Sequence, residues 1–172
     1  MKDWAVLFDL DGTLVESARL KTLRDTRRWS DVYASFALSE VRPGTRSMLA
    51  ATAEFAQIGV ITMAPRTYAE RLLRYHALAV PVLVAYRDVS RLELKPHPRP
   101  ILLAAELLHV PPARVIYVGD EIRDVVAARR AGAHAIGYGD NGLEDDPRAA
   151  GAAAFAHNWT EVADAVQEIL GA

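Results

Sequence analysis

Cysteine is absent from this 172-residue chain, which excludes disulfides and thiolate zinc sites and fits a reducing compartment. Lysine is scarce: Lys2, Lys21 and Lys95 stand alone in a cationic set that is otherwise arginine. No apolar run approaches the length of a membrane span, and no export signal precedes the first apolar stretch, so a cytoplasmic protein is expected. Charge of one sign is not in excess either. A net charge of −2 gives no bulk attraction to nucleic acid or to an anionic membrane. Repeats and low-complexity linkers are missing, so residues 1–172 read as one domain, long enough to bury a core. With 51% apolar and 24% charged residues, the composition is globular rather than disordered.

What is present is organised around Val6 to Val15, Val-Leu-Phe-Asp-Leu-Asp-Gly-Thr-Leu-Val. An apolar run from Trp4 to Phe8 predicts a buried strand, and it ends in two carboxylates, Asp9 and Asp11, two positions apart. If the strand geometry persists, the two side chains point the same way. Beyond it, strands and helices alternate. Helices are expected over Glu16 to Arg28, Trp29 to Leu38, Thr45 to Gln57 (closed by Gly59), Tyr68 to His76, Arg99 to Leu108, Ile122 to Ala131 and Trp159 to Leu170. Strands are expected over Val60 to Met63, Pro81 to Tyr86, Val115 to Val118, Ala133 to Gly137 and Ala153 to Phe155. Gly137 to Gly151, with Asp140, Asp145 and Asp146, reads as an exposed acidic loop or short helix. Alternation of this kind implies an α/β fold with a mostly parallel sheet covered on both faces.

In such sheets ligands bind beyond the carboxyl ends of the strands. Four of these ends carry chemistry: Asp9 and Asp11 on the first, Thr62 after Val60-Ile61, Lys95-Pro96 ahead of the Arg99 helix, and Gly119-Asp120, with Asp124 one turn on. Carboxylates, a hydroxyl and an ammonium gathered at one edge are what phosphoryl transfer needs: a nucleophile, a general acid, a divalent metal and fixed positive charge. Paired carboxylates at a strand end suit Mg²⁺. Each residue also has a plainer reading, as a turn former, a strand threonine, a solvated lysine or a helix-start carboxylate. His76, His97, His109, His134 and His157 have no ligand spacing and read as surface or packing residues.

In their order, Asp9-Leu10-Asp11-Gly12-Thr13, Val60-Ile61-Thr62, Lys95-Pro96 and Gly119-Asp120-Glu121-Ile122-Arg123-Asp124 resemble the motifs of the haloacid dehalogenase-like (HAD-like) hydrolases. The resemblance covers nearly the whole chain and points to the phosphoglycolate phosphatase-like branch. It implies a Rossmann-like three-layer sandwich and a Mg²⁺-dependent phosphatase. Asp9 would be the nucleophile that forms an aspartyl-phosphate. Asp11 would protonate the leaving group and then deprotonate water. Thr62 and Lys95 would hold the phosphoryl group, and Gly12 would let the chain turn away from it. Asp9, the backbone carbonyl of Asp11, and Asp120 would ligate the metal, with Asp124 a further ligand, direct or through water. Glu121 stands where many relatives carry serine or threonine and implies a supporting position behind the ligands.

Two departures matter. Met63 replaces the asparagine that often follows the second-motif hydroxyl, and only Glu16 to Arg42 is available for the helical cap that relatives insert there. A minimal cap over 16–42 leaves an open site. It suits a phosphorylated small molecule, admits a bulky or macromolecular phospho-substrate, or leaves room for a second subunit, with monomer and homo-oligomer equally open. Arg19, Arg24, Arg27 and Arg28 read as a solvated helix face, with contact to substrate anions as the alternative. A phosphotransferase or sugar-phosphate mutase of the same family is the nearest alternative, though it ordinarily needs a closing cap against water. A dehalogenase would lack Asp11. A phosphonate-cleaving relative would need a cap lysine, for which only Lys21 is present. A non-catalytic phospho-acceptor or binding domain would place its acidic pair ahead of a separate acceptor and would lack the late Gly-Asp-x-x-x-Asp.

Overall fold

The computed structural model describes residues 2–140, 142–143, 146, 149 and 151–171. Strand β1 (Trp4–Phe8) runs through the middle of a six-stranded sheet. On one side lie β4 (Ala56–Pro65) and β5 (Val82–Tyr86), and on the other β6 (Val115–Gly119), β7 (His134–Tyr138) and β8 (Ala154–Ala156). Every pairing in this sheet is parallel. The order 5-4-1-6-7-8 therefore reverses direction at β1, and the crevice beyond a reversal is where such sheets bind ligands.

Two apolar layers sandwich the sheet. Val6 and Phe8 of β1 face one, packed against α3 (Thr45–Phe55), α4 (Arg66–Tyr75) and α7 (Trp159–Gly171). Ala5 and Leu7 face the other, packed against α5 (Arg99–Leu108) and α6 (Ile122–Ala131). The alternation follows from the two-residue period of a strand, and burial on both faces is why β1 reads as an unbroken apolar run. Pro100 sits in the first turn of α5 and Gly132 closes α6 at φ +76°, both as their residue types dictate. Asn158 Oδ1 accepts from the N–H groups of Thr160 and Glu161 and so caps α7.

The structure departs from these expectations at several points. The helix expected over Glu16 to Arg28 is broken into a 3-10 turn (Ala18–Leu20) and a single α turn, α1 (Lys21–Asp25); α2 (Trp29–Ala34) and another 3-10 turn follow. Thr26 turns its hydroxyl onto the carbonyls of Thr22 and Leu23, and Arg27 takes φ +55°, so the helix cannot continue. Gly59 does not end a helix. It lies inside β4, which is longer than expected because α3 stops at Phe55. A Cβ on Gly59 would stand 2.8 Å from Leu7 Cδ2, so this glycine serves close strand packing. Finally, β2 (Val15–Glu16) and β3 (Glu40–Val41) form an antiparallel pair at the base of the insertion, too short for any sequence pattern to announce. In the stretch after β7, Asp145 lies outside the described residues, while Leu143 and Ala149 are buried, so this stretch is not wholly solvated.

Candidate active site

Beyond the reversal point the strand ends enclose an open cleft of about 640 Å³. Asp9 is the first residue past β1, and its N–H donates to the Val118 carbonyl at 2.9 Å, so the β1–β6 register runs one residue beyond the strand. The chain then turns back on itself. Leu10 accepts from the N–H groups of Leu14 and Val15, and Gly12 adopts φ +91°. A Cβ on Gly12 would overlap the Asp120 carboxylate, so close approach as well as conformation requires glycine here.

Lys95 lies under the cleft, its side chain almost wholly buried. Its ammonium donates to Asp9 Oδ1 at 2.7 Å, Asp124 Oδ1 at 2.6 Å and the Tyr117 hydroxyl at 2.8 Å, which uses all three protons. Burial would lower its pKa, but Asp124 and Asp9 outweigh burial and hold it well above the ordinary lysine value. Asp124 Oδ2 also accepts from the Glu121 N–H at 3.0 Å, within a capping box that starts α6. Asp124 thus caps the start of α6 and, through Lys95, is joined to Asp9.

Asp9, Asp120 and Asp124 each bring a carboxylate oxygen within 4.8 Å of the other two. Burial pushes Asp9 well above the usual carboxylate range, Lys95 opposes that, and Asp124 and Asp120 add to it. Burial and the Asp124 charge raise Asp120 to about 6, against the Thr13 hydroxyl, which donates to it at 2.9 Å. Three clustered acids, two of them unwilling to ionise, form a donor set that a hard divalent cation would relieve. The Asp11 carboxylate is not one of the three. Its Oδ1 is held from the cleft wall by Ser17 (2.5 Å), the Tyr68 hydroxyl (2.7 Å) and the Arg24 guanidinium.

Thr62 lines the cleft beside Met63, with its hydroxyl oxygen accepting from the Ala64 N–H at 3.1 Å; among the described residues its own proton has no acceptor. The structure therefore brings Asp9, Asp11, Gly12, Thr62, Lys95, Asp120 and Asp124 to one cleft. Of the four arginines weighed from sequence, Arg24 enters it, whereas Arg28 pairs with Asp31 at the surface. Glu121 pairs with Arg123 at the rim. His76 meets Ser39, His134 lies tilted against the Trp4 ring and His157 meets Asp140; among the described residues no histidine joins a metal-ligating group. Sequence reasoning missed Ser17, Tyr68 and Tyr117. A tyrosine inside the apolar strand Val-Ile-Tyr-Val-Gly was a usable signal for Tyr117, because a buried hydroxyl needs a partner. No local pattern could link Tyr68 to Asp11, 57 positions away.

Comparison with known proteins gives a consistent result. The profile described as haloacid dehalogenase-like hydrolase matches residues 20–138. An N-acetylmuramic acid 6-phosphate phosphatase of Pseudomonas aeruginosa is 31% identical over 218 residues, covering 96% of each chain. That alignment is longer than the 172 residues present here, so the relative carries segments that this chain lacks. A phosphoglycolate phosphatase of Xanthomonas campestris pv. campestris is 30% identical over 193 residues, covering 83% of this chain and 87% of its own. Among solved structures, a predicted phosphoglycolate phosphatase from Haemophilus somnus superposes with a TM-score of 0.78 at 19% identity, over 97% of this chain and all of its own. A putative beta-phosphoglucomutase from Thermotoga maritima superposes with a TM-score of 0.77 at 23% identity, over 96% and 99%.

Proposed function

The chain belongs to the haloacid dehalogenase-like hydrolases, and from that premise we propose a phosphatase that cleaves phosphomonoesters through an aspartyl-phosphate on Asp9. The observation that carries the reading is the position of Asp9, at the sheet's reversal point, hydrogen-bonded to a buried lysine and grouped with Asp120 and Asp124. A carboxylate oxygen of Asp9 bonds to phosphorus as the ester P–O bond breaks. Asp11 gives the departing oxygen its proton. Water then attacks phosphorus, Asp11 takes the water's proton, and the bond from Asp9 to phosphorus breaks. Lys95 and Thr62 offset charge on the phosphoryl oxygens.

Asp9, Asp120 and the backbone of Asp11 would hold Mg²⁺. Both Asp124 oxygens accept protein hydrogen bonds, which favours a contribution from Asp124 through Lys95 or water. When bound, Mg²⁺ supplies positive charge opposite the phosphoryl oxygens and so permits an anion to approach an anion. Residues 16–42 act as a minimal cap, and the open cleft they leave admits water, which favours hydrolysis over transfer to a second substrate. The relatives are named for phosphoglycolate and N-acetylmuramic acid 6-phosphate, both phosphomonoesters of carboxylic acids, which directs the search to small phosphorylated acids. Among the described residues no helix is long and apolar enough to cross a membrane. With the cysteine-free composition, this supports placing the protein in the cytoplasm. The test is turnover of p-nitrophenyl phosphate with and without Mg²⁺ by the wild type and Asp9→Asn. The wild type is expected to need the metal and the variant to be inactive; an active variant, free of contaminating phosphatase, refutes the assignment.

A further inference from the structure

Among the described residues, four cations besides Lys95 line the cleft. Three are paired with carboxylates that take no part in the chemistry: Lys21 with Asp25 (2.5 Å), Arg42 with Glu16 (3.0 Å) and Arg123 with Glu121 (2.6 Å). The fourth, Arg24, is paired with Asp11 itself. When Asp11 turns to the ester oxygen of a substrate, Arg24 is the cation that must find another anion. It is also held ready to do so. Its guanidinium lies 5.4 Å over the Tyr68 ring, and its Nη1 donates to the Tyr68 hydroxyl at 3.1 Å, so its place does not depend on Asp11 alone. Only Nη1 makes these bonds; among the described residues no acceptor is bound by Nε or Nη2, and the side chain is 19% exposed to the cleft. Trp29, whose ring centroid stands 6.0 Å from that of Tyr68, gives this corner an apolar wall.

Resting on the phosphatase reading, we propose that Arg24 forms a second anion subsite and selects substrates that carry a carboxylate close to the phosphoester. A guanidinium fork matches a planar carboxylate, and the one cation released when Asp11 turns balances a monoanion rather than a second phosphate. The subsite also measures distance. Asp11 pairs with Arg24 here and reaches the ester oxygen once it turns, so at most two hydrogen bonds and the width of its carboxyl group, roughly 5 to 8 Å, separate the two. A carboxylate about one or two carbons from the ester oxygen fills that gap. A carboxylate on the far side of a sugar ring from the phosphate does not.

The test compares kcat/KM for 2-phosphoglycolate with that for 2-hydroxyethyl phosphate, which has the same length and a neutral end, in Mg²⁺, for the wild type, Arg24→Lys and Arg24→Gln. The wild type is expected to prefer the carboxylate by about 10- to 100-fold, the usual worth of a charged hydrogen-bonded contact. Arg24→Gln should bring that ratio to within about threefold of unity, and Arg24→Lys should leave it in between, whatever happens to the absolute rates. Using the ratio makes the result independent of partial loss of folded protein. A wild type without the preference, or a ratio unmoved in Arg24→Gln, overturns the subsite. So does a preference for N-acetylmuramic acid 6-phosphate over 2-phosphoglycolate. p-Nitrophenyl phosphate separates the two levels: its hydrolysis without any carboxylate preference sinks the subsite alone, and hydrolysis of no ester sinks the phosphatase reading with it.

Discussion

Replacing Lys95 by methionine keeps the length of the side chain and removes its charge and three protons. Asp9, Asp124 and Tyr117 then each lose a donor at 2.6 to 2.8 Å, and two buried carboxylates lose the ammonium between them. Removing one partner of a buried ion pair costs about 3–5 kcal/mol, because the other charge stays buried and uncompensated. For a domain of this size that lowers Tm by roughly 6 to 20 °C. The deficit depends on pH, and its sign is fixed by Asp9. Asp9 already titrates above the usual carboxylate range, with Lys95 holding it down, so removing Lys95 raises it further. A group whose folded-state pKa is raised contributes its stability below the unfolded value and loses it as pH rises through the folded one. The variant should therefore come closest to the wild type near about pH 4 and fall behind as pH rises to about 8. Denaturant unfolding across that range measures it. Phosphatase activity should fall by about 10²–10³-fold or more, since one fixed charge at the reacting group is gone. A Lys95→Met protein that matches the wild type in stability at the alkaline end, or keeps activity within tenfold, would refute the view that Lys95 neutralises the cluster.

Other outcomes follow from the same geometry. Because burial holds Asp120 at about 6, protons compete with metal there, and the Mg²⁺-induced rise in Tm should be smaller at about pH 5 than at about pH 8. In the metal-free protein the same raised pKa makes Asp120 cost stability as pH climbs through about 6, so a pH-independent Mg²⁺ effect would contradict the assignment. Gly12→Ala should cost about 1–2 kcal/mol for its left-handed backbone and also weaken Mg²⁺ binding, since its Cβ would displace the Asp120 carboxylate; calorimetric titration reads the second effect. Gly59→Ala should destabilise by about 1–3 kcal/mol through overpacking against Leu7 and leave KM and kcat unchanged, which separates a packing glycine from a site glycine.

The central strand and the residues at the strand ends were legible because each is announced locally. A buried parallel strand is a continuous apolar run, and a carboxylate at its end stands out. Helices α5 and α6 were placed to the residue by Pro100 and Gly132, which act at helix ends through backbone geometry alone. Gly59 misled for the complementary reason. A glycine after a helical pattern looks like a terminator, and only the position of Leu7 on the neighbouring strand makes it an interior strand residue. The insertion was misread because Thr26 and Arg27 break its first helix with local bonds that hydrophobic periodicity does not report. Within the site, Asp9, Asp11 and Asp120 were readable from the ends of β1 and β6, Thr62 from the apolar run that is part of β4, and Lys95 and Asp124 from the segments that start α5 and α6, while the hold of Ser17, Tyr68 and Arg24 on Asp11 was not. Tyr68 and Arg24 reach it from α4 and α1, and Trp29 and Phe36, which follow α1 in the insertion, pack their rings against Tyr68.

The most direct test of the central claim is chemical trapping of the phosphorylated carboxylate. The protein is mixed with Mg²⁺ and p-nitrophenyl phosphate, quenched during turnover and treated with borohydride, which reduces an aspartyl phosphate to homoserine. Peptide mass spectrometry then locates the change. Asp9 as nucleophile predicts homoserine at position 9 and at no other aspartate, dependent on substrate and metal. Turnover without any reduced residue, or reduction at Asp11, Asp120 or Asp124 instead, would contradict it.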